Sequence, residues 1–461
     1  MKFYFRAGLL FIICLICSNL YPALGQQKIF SPSVQNDALL KSVSTSLEQR
    51  YQKDIAGLPS ENKKDLLKVY KQRWDNVQDK FDKKEIYTNA TAQKYLDEIT
   101  SEIVKANPLL QNKEFKCFFS KSGVPNAEYV GEGLILLNMG LFSRLNNESQ
   151  AAFVLCHELA HFYLNHSENS IQKYVTTLNS DDVQKQLRNI KKSEYGKRQD
   201  LEKLLKGLTF SSRRHGRDHE SSADSMAMVF LRNTRFDIKE SLTTLALLDS
   251  IDTDTLKTEN ALQKLFDAKE YPFQKRWIAK EDGLLGGHAQ IKKDESLADS
   301  LKTHPDCKLR IKALEPAVLQ YQSNLSLKNV IDKTKFDELK SLFKYEMIEY
   351  AFTSDNYTKS LYFTMELLQE MPADPYLVTQ TGKIFNGFYN AQKNHTLGKI
   401  SELPAPFFQP NYNLLLQFVQ NLFLEDYAAI SNHFLKQYTS QMGNYTPFKN
   451  AYDTSIQISK P

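Results

Sequence analysis

Apolar positions recur at helical spacing over most of this chain and at strand spacing over one short stretch. From about 38 to 82 a charged segment offers Leu39, Leu40, Val43, Leu47, Leu66, Leu67 and Trp74 as the core positions of helices. A further helix is predicted from about Thr91 to Ala106. Three short extended runs follow, Phe115 to Phe119, Ala127 to Val130 and Leu134 to Leu137, with Gly131 and Gly133 marking a turn. The next periodic segment starts at Asn147, which with Gln150 three residues on forms a capping-box pattern; Ala151, Ala152, Val154, Leu155, Leu159 and Phe162 supply its apolar face. Residues 180 to 206 are rich in Lys, Asp, Glu and Gln with leucines at helical spacing, which predicts a solvated helical hairpin. Helical patterning returns through Met226, Met228, Val229, Phe230 and Leu231, and again from about Glu315 with no strong punctuation until Pro404. The pattern predicts a mainly α fold with one small β-sheet, an α+β domain followed by an all-α region.

The first residues stand apart. Lys2 and Arg6 precede an apolar run from Ala7 to Cys17, and Ala23-Leu24-Gly25 follows, which reads as a secretory signal peptide over residues 1–25 with cleavage before Gln26. The run is short for a bilayer span, and no later segment approaches the roughly 18 apolar residues that a span needs. An uncleaved anchor is the alternative. A lipoprotein signal does not fit, because isoleucine precedes both Cys14 and Cys17. The expectation is an exported chain, in a bacterial periplasm or beyond, with no transmembrane span after cleavage.

Removing Lys2 and Arg6 takes two charges from a net +5, a surplus too small to imply nucleic acid or an anionic membrane as partner. Five cysteines become three, Cys117, Cys156 and Cys307, enough for at most one disulfide. The chain is therefore no disulfide scaffold. With 41% hydrophobic residues over this length it has the material for ordinary cores in two or three domains.

The chemistry is concentrated in His157-Glu158-Leu159-Ala160-His161. Two imidazoles four residues apart share one helix face, with a carboxylate beside them. Three fixed positions do arise by chance, and a helix with surface histidines would read the same. A second motif changes the weight: in Glu220-Ser221-Ser222-Ala223-Asp224 the two carboxylates again share a face. Glu220 there would supply a third metal ligand, and Asp224 an acceptor for the ring N–H of a ligating histidine. His219, beside Glu220, is the alternative third ligand. A three-histidine zinc site is excluded, since Leu164 and Ser167 stand where it needs glycine and histidine. On a continuing helix His166 would lie about 140° from His161, facing away. Cys156 adjoins His157 but points about 100° off, as a small core thiol does.

A third motif, Thr303-His304-Pro305 followed by Arg310-Ile311, completes a set. His157 to His161, then Glu220 to Asp224, then this stretch, in that order, resemble the M48 zinc metallopeptidases of the gluzincin clan, the group of HtpX, the Oma-type proteases and the CAAX-prenyl endopeptidases. The resemblance covers roughly Ile86 to Leu314. It implies a zincin-type domain with one zinc ion held by His157, His161 and Glu220, Glu158 as catalytic base and Asp224 behind the ligands. It also implies that His304 and Arg310 line the site near the substrate carbonyl, either of them stabilising the oxyanion. Zinc with two imidazoles and one carboxylate keeps an open position for water. The absence of later apolar spans departs from the membrane-integral relatives, so their substrates are not carried over.

The expected organisation is a signal peptide at 1–25, an N-terminal helical region at 26–85, a zinc metallopeptidase domain at 86–315 and a helical C-terminal region at 316–461. Residues 134 to 138 are a candidate edge strand for an extended substrate, with an ordinary buried strand as the equal alternative. The segment from Lys280 to Leu301, with Gly283, Gly286 and Gly287, reads as a loop running into Thr303. In the C-terminal region Asn356-Tyr357, Ser360-Leu361, Leu367-Leu368 and Pro372 fall near tetratricopeptide spacings, resumed at Gly382 and Phe385. Solenoids need about three repeats and this covers fewer; a helical cap or dimerisation module accounts for the residues equally. If repeat-like, the region resembles the accessory domain of periplasmic relatives that handle misassembled envelope proteins, with client docking on residues 340 to 395. Two functions follow: a zinc endopeptidase acting on unfolded or misassembled proteins, with protein or peptide substrates and no nucleic acid, or a chaperone-like binding protein with a latent protease site.

Overall fold

The computed structural model describes residues 29–193, 196–251, 256–279, 307–323 and 325–460. The signal segment, the 280–301 loop and Thr303-His304-Pro305 lie outside the described residues. In chain order the helices are α1 (Asp37–Ala56), α2 (Lys63–Asp82) and α3 (Ala90–Ala106); then come strands β1 (Lys116–Ser120), β2 (Ala127–Gly131) and β3 (Leu134–Asn138). A single helical turn at Met139–Phe142 leads to α4 (Glu148–Tyr163), α5 (His166–Leu178), α6 (Asp181–Lys192), α7 (Lys197–Arg232), α8 (Glu240–Ser250) and α9 (Thr258–Phe266). The chain continues through α10 (Cys307–Tyr321), α11 (Lys333–Thr353), α12 (Tyr357–Glu370), α13 (Pro375–Lys393), α14 (Pro410–Asn421), α15 (Leu424–Lys436) and α16 (Thr446–Ile458).

The sheet has the order β1-β3-β2, with β3 parallel to β1 and antiparallel to β2. All five residues of β3 are buried because both faces are covered. Leu134 and Leu136, with Phe118, pack under α1, α2 and α5, while Ile135 and Leu137, with Cys117 and Phe119, join the core built by α3, α4 and α7. The β2–β3 turn runs through Gly131 at φ 131° and Gly133 at φ 81°, backbone angles that glycine adopts at little cost. This order corrects the expectation for residues 134 to 138. β3 is the central strand, hydrogen-bonded on both sides, and β1 and β2 are the outer strands.

Helix α4 lies at the centre of its domain, packed on α7, α8, α3 and β2. Asn147 caps it by accepting the Gln150 N–H at 3.1 Å. The return bond of the expected box goes elsewhere: Gln150 accepts from the Asn146 N–H at 2.8 Å. The charged 180–206 stretch forms α6 and the start of α7, which meet near Gly196 at φ 75°. Helix α7 then runs on without a break through Glu220 and Asp224, so that hairpin arm and second motif are one helix.

A second core is formed by α12 to α16 together with residues from 256 to 278, among them Leu262, Phe266 and the fully buried Trp277. Helix α11 serves both cores: Phe336, Leu339 and Phe343 face the first, Ile348 the second. Glu148, at the start of α4, accepts the N–H groups of Val330, Ile331 and Asp332 and the Tyr95 hydroxyl. Within the 340–395 segment, α13 is buried along most of its length against α12, α15 and α16. Cys117, Cys156 and Cys307 are buried free thiols. Among the described residues no helix is long and apolar enough to cross a membrane.

Candidate metal centre

Three side chains from two packed helices converge on one point. On α4, His157 and His161 present their Nε2 atoms 3.0 Å apart. From α7, Glu220 Oε2 lies 3.4 Å from His157 Nε2, and Glu220 Oε1 lies 3.3 Å from His161 Nε2. A tetrahedral zinc with bonds of ~2.0–2.1 Å separates its ligand atoms by about 3.3 Å. The triangle fits that ion. The donor chemistry fits as well: His157 Nδ1 lies 3.0 Å from Asp224 Oδ1, so the ring proton belongs on that side and the Nε2 lone pair faces the other donors. Lone pairs and a carboxylate meeting at such distances could hold a cation between them. Among the described residues this is the one cluster of three His, Cys, Asp or Glu side chains with metal-ligand spacing.

The electrostatics record the same demand. Burial alone would push His157 down, yet its partners Asp224 and Glu220 outweigh it and raise it to about 10. Glu220 is held well below the usual carboxylate range: burial opposes this, and His157, His161 and Arg310 override it. Asp224 is depressed against the same burial by Arg310 and His157.

Arg310, on α10, is buried and forks onto Asp224, with Nε to Oδ2 and Nη2 to Oδ1 each at 2.7 Å; its Nη1 lies 3.3 Å from Glu220 Oε2. The contacts the structure gives Arg310 are thus with the carboxylates that hold and support the ligands. His304 lies outside the described residues.

Glu158 points from α4 toward the sheet, and its Oε2 accepts the Tyr129 N–H of β2 at 2.7 Å. Glu158 follows His157 directly on α4, and the hydrogen bond the structure gives it is this one to β2. Cys156 turns into the core, where burial pushes its thiol up.

Residues 90–318 match the family model of peptidase family M48. This stretch is similar to the M48 peptidases. M48 peptidases are zinc-dependent hydrolases of peptide bonds, and the matched stretch here brings together three donors that could hold such an ion. No curated protein matches the chain.

On the sequence His166 faces away from the site and His219 is an alternative third ligand; the structure places both differently. His166 is not a helical continuation of α4: the helix ends at Tyr163, Asn165 takes a left-handed conformation at φ 54°, and His166 opens α5. Its Nδ1 comes to 3.0 Å from His161 Nδ1. Burial, then the adjacent His161 and His219 rings, push His166 down to about 4 and leave it neutral. His219 stands outside the donor triangle; its ring stacks on that of His166 at 4.3 Å, and its Nδ1 lies 3.3 Å from Ser170 Oγ. Only the left-handed Asn165 brings these rings together, and an asparagine between two helical stretches is a faint signal for it.

Proposed function

We propose that this chain is a zinc endopeptidase that hydrolyses internal peptide bonds of unfolded or misassembled proteins outside the cytosol. The observation that carries the reading is the triangle of His157, His161 and Glu220 with Glu158 beside it and a carboxylate and a guanidinium behind it. Zinc bound there supplies a Lewis acid that lowers the pKa of bound water toward ~7 and polarises the scissile carbonyl. Glu158 is the catalytic residue: held by the Tyr129 N–H, its carboxylate takes the proton of the attacking water and passes it to the leaving amine. Asp224 keeps the His157 proton on Nδ1, and Arg310 holds Asp224 and Glu220 in place. The oxyanion role falls to His304, since the Arg310 fork is occupied. An extended substrate backbone would add beside β2, an outer strand, whose N–H at Tyr129 already registers it against the base.

The location outside the cytosol rests on Lys2, Arg6, the apolar Ala7 to Cys17 run and the Ala23-Leu24-Gly25 end. The lack of a spanning helix among the described residues separates the chain from membrane-integral members of the HtpX, Oma-type and CAAX-prenyl group. Client docking on 340 to 395, whether or not the region is tetratricopeptide-like, is confined to the exposed turns and helix ends, because α13 is spent on the core.

The test is to incubate the zinc-loaded chain with casein and map product termini by mass spectrometry. Internal cuts along the substrate support the reading. Trimming from the ends alone overturns the endopeptidase assignment. Suppressed aggregation without fragments, zinc being bound, overturns the enzyme assignment in favour of a binding protein with a latent site.

A further inference from the structure

Resting on that reading, we propose that His166 is a positioning residue for the metal ligand His161. The two Nδ1 atoms are 3.0 Å apart, so one proton lies between them, and its owner decides what His161 presents on Nε2. The other side of the His166 ring settles the arrangement in which every bond has one donor and one acceptor. His166 Nε2 is 3.1 Å from Ser222 Oγ, and Ser222 Oγ is 3.0 Å from the His219 carbonyl, which accepts only. The Ser222 hydroxyl therefore donates to that carbonyl. His166 Nε2–H donates to Ser222, His166 Nδ1 is left as acceptor, and His161 Nδ1–H donates to it. His161 is then the tautomer with its lone pair on Nε2, aimed at His157 and Glu220. In the reversed chain His161 carries its proton on Nε2 and repels a cation.

The two ligand histidines are thus held by different groups. His157 has the carboxylate of Asp224, while His161 has a neutral imidazole anchored on α7 through Ser222 and stacked on His219. The relay runs from His161 on α4 through His166 on α5 to Ser222 on α7, so it ties α5 to the two helices of the ligand set. A single packing histidine would need neither the Nδ1 to Nδ1 approach nor the serine that terminates the chain on a carbonyl. Ser222 is the third residue of the Glu220 to Asp224 motif, which gives that position a use of its own.

The experiment compares His166→Leu, which fills the space without an acceptor, with His166→Asn, whose side-chain oxygen stands near the place of Nδ1. Zinc affinity is read by competition with a chromophoric chelator, and folding by thermal melts in excess EDTA. Loss of a partner behind a ligating histidine weakens metal binding about 10- to 100-fold. That loss is expected for His166→Leu, with His166→Asn within about threefold of wild type and both melting near wild type without metal. As a spectroscopic readout, proton NMR of the cobalt-substituted chain should show a slowly exchanging ring N–H for both His157 and His161, and His166→Leu should lose only the second. Equal affinity in all three chains, or equal losses in Leu and Asn variants with both ring signals kept, overturns the proposal while leaving the metal site standing. A folded wild type that takes up no zinc overturns the site reading itself and this inference with it.

Discussion

Replacing Asp224 by asparagine removes one charge and one acceptor while keeping the shape. In the wild type the carboxylate accepts from Arg310 Nε and Nη2 at 2.7 Å and lies 3.0 Å from His157 Nδ1, and its side chain is 3% exposed. An amide has one oxygen to offer, and its NH2 must face a guanidinium or a ring N–H. At least one charge-assisted hydrogen bond is lost, each contributing ~1.5–3 kcal/mol in buried surroundings. The expected result without metal is a loss of about 2–3 kcal/mol, a clear fall in melting temperature in EDTA. With metal there is a second effect, because His157 no longer has an acceptor that keeps its lone pair on Nε2. Zinc affinity should fall ~10- to 100-fold, about 1.4–2.8 kcal/mol. Chelator competition measures the affinity and denaturant titration the stability. A variant that binds zinc as tightly as wild type would refute the idea that Asp224 sets the state of His157, however much stability it had lost.

Three further perturbations test the frame around the site. Glu148→Ala removes the acceptor of three backbone N–H groups and the Tyr95 hydroxyl in a fully buried position, and should cost about 3–5 kcal/mol in urea unfolding, loosening the 329–332 turn; unchanged stability would show that water replaces it. Burial opposes ionisation of Glu240, yet Asn147, Lys328 and Thr243 hold it below its ordinary 4.5, so its stabilisation is present above about pH 4.5 and fades as acid carries it through the lower folded value. Glu240→Gln should therefore melt lower than wild type at pH 7 by roughly 1–2 kcal/mol, with the gap closing in acid; a gap that widens in acid would contradict the sign. Gly140→Ala places a Cβ 2.2 Å from the Gly123 carbonyl oxygen, a backbone clash next to β3, and should reduce the yield of folded protein severely; a normal melting curve would mean that the 122–124 loop yields.

The cluster of His157, His161 and Glu220 was legible in part because helical periodicity is local: spacing four puts His157 with His161, and Glu220 with Asp224, whatever the rest of the fold does. Helix α4, α3 and the three strands were legible for the same reason, as apolar runs, with Asn147 before α4 and the Gly131 and Gly133 turn between two of the strands. What failed depends on partners distant in sequence. Strand order is not written in any one strand, so the all-apolar Leu134 to Leu137 run read as a candidate edge when it is the centre. The left-handed Asn165 ended a helix that periodicity would have continued, and with it went the argument that turned His166 away. Pairing of Arg310 with Asp224 needs α10 to lie against α7, a contact of 86 residues' separation. Residues 256 to 278 had no reading from the sequence, and they enter the second core.

The central claim is that Glu158 works as a base beside an ion held by His157, His161 and Glu220. The most direct measurement is the rate of casein hydrolysis by wild type and Glu158→Gln at matched zinc content, the metal counted by mass spectrometry. The account predicts one zinc per chain in both and a rate at least ~100-fold lower in the glutamine variant. Equal rates at equal zinc would contradict it.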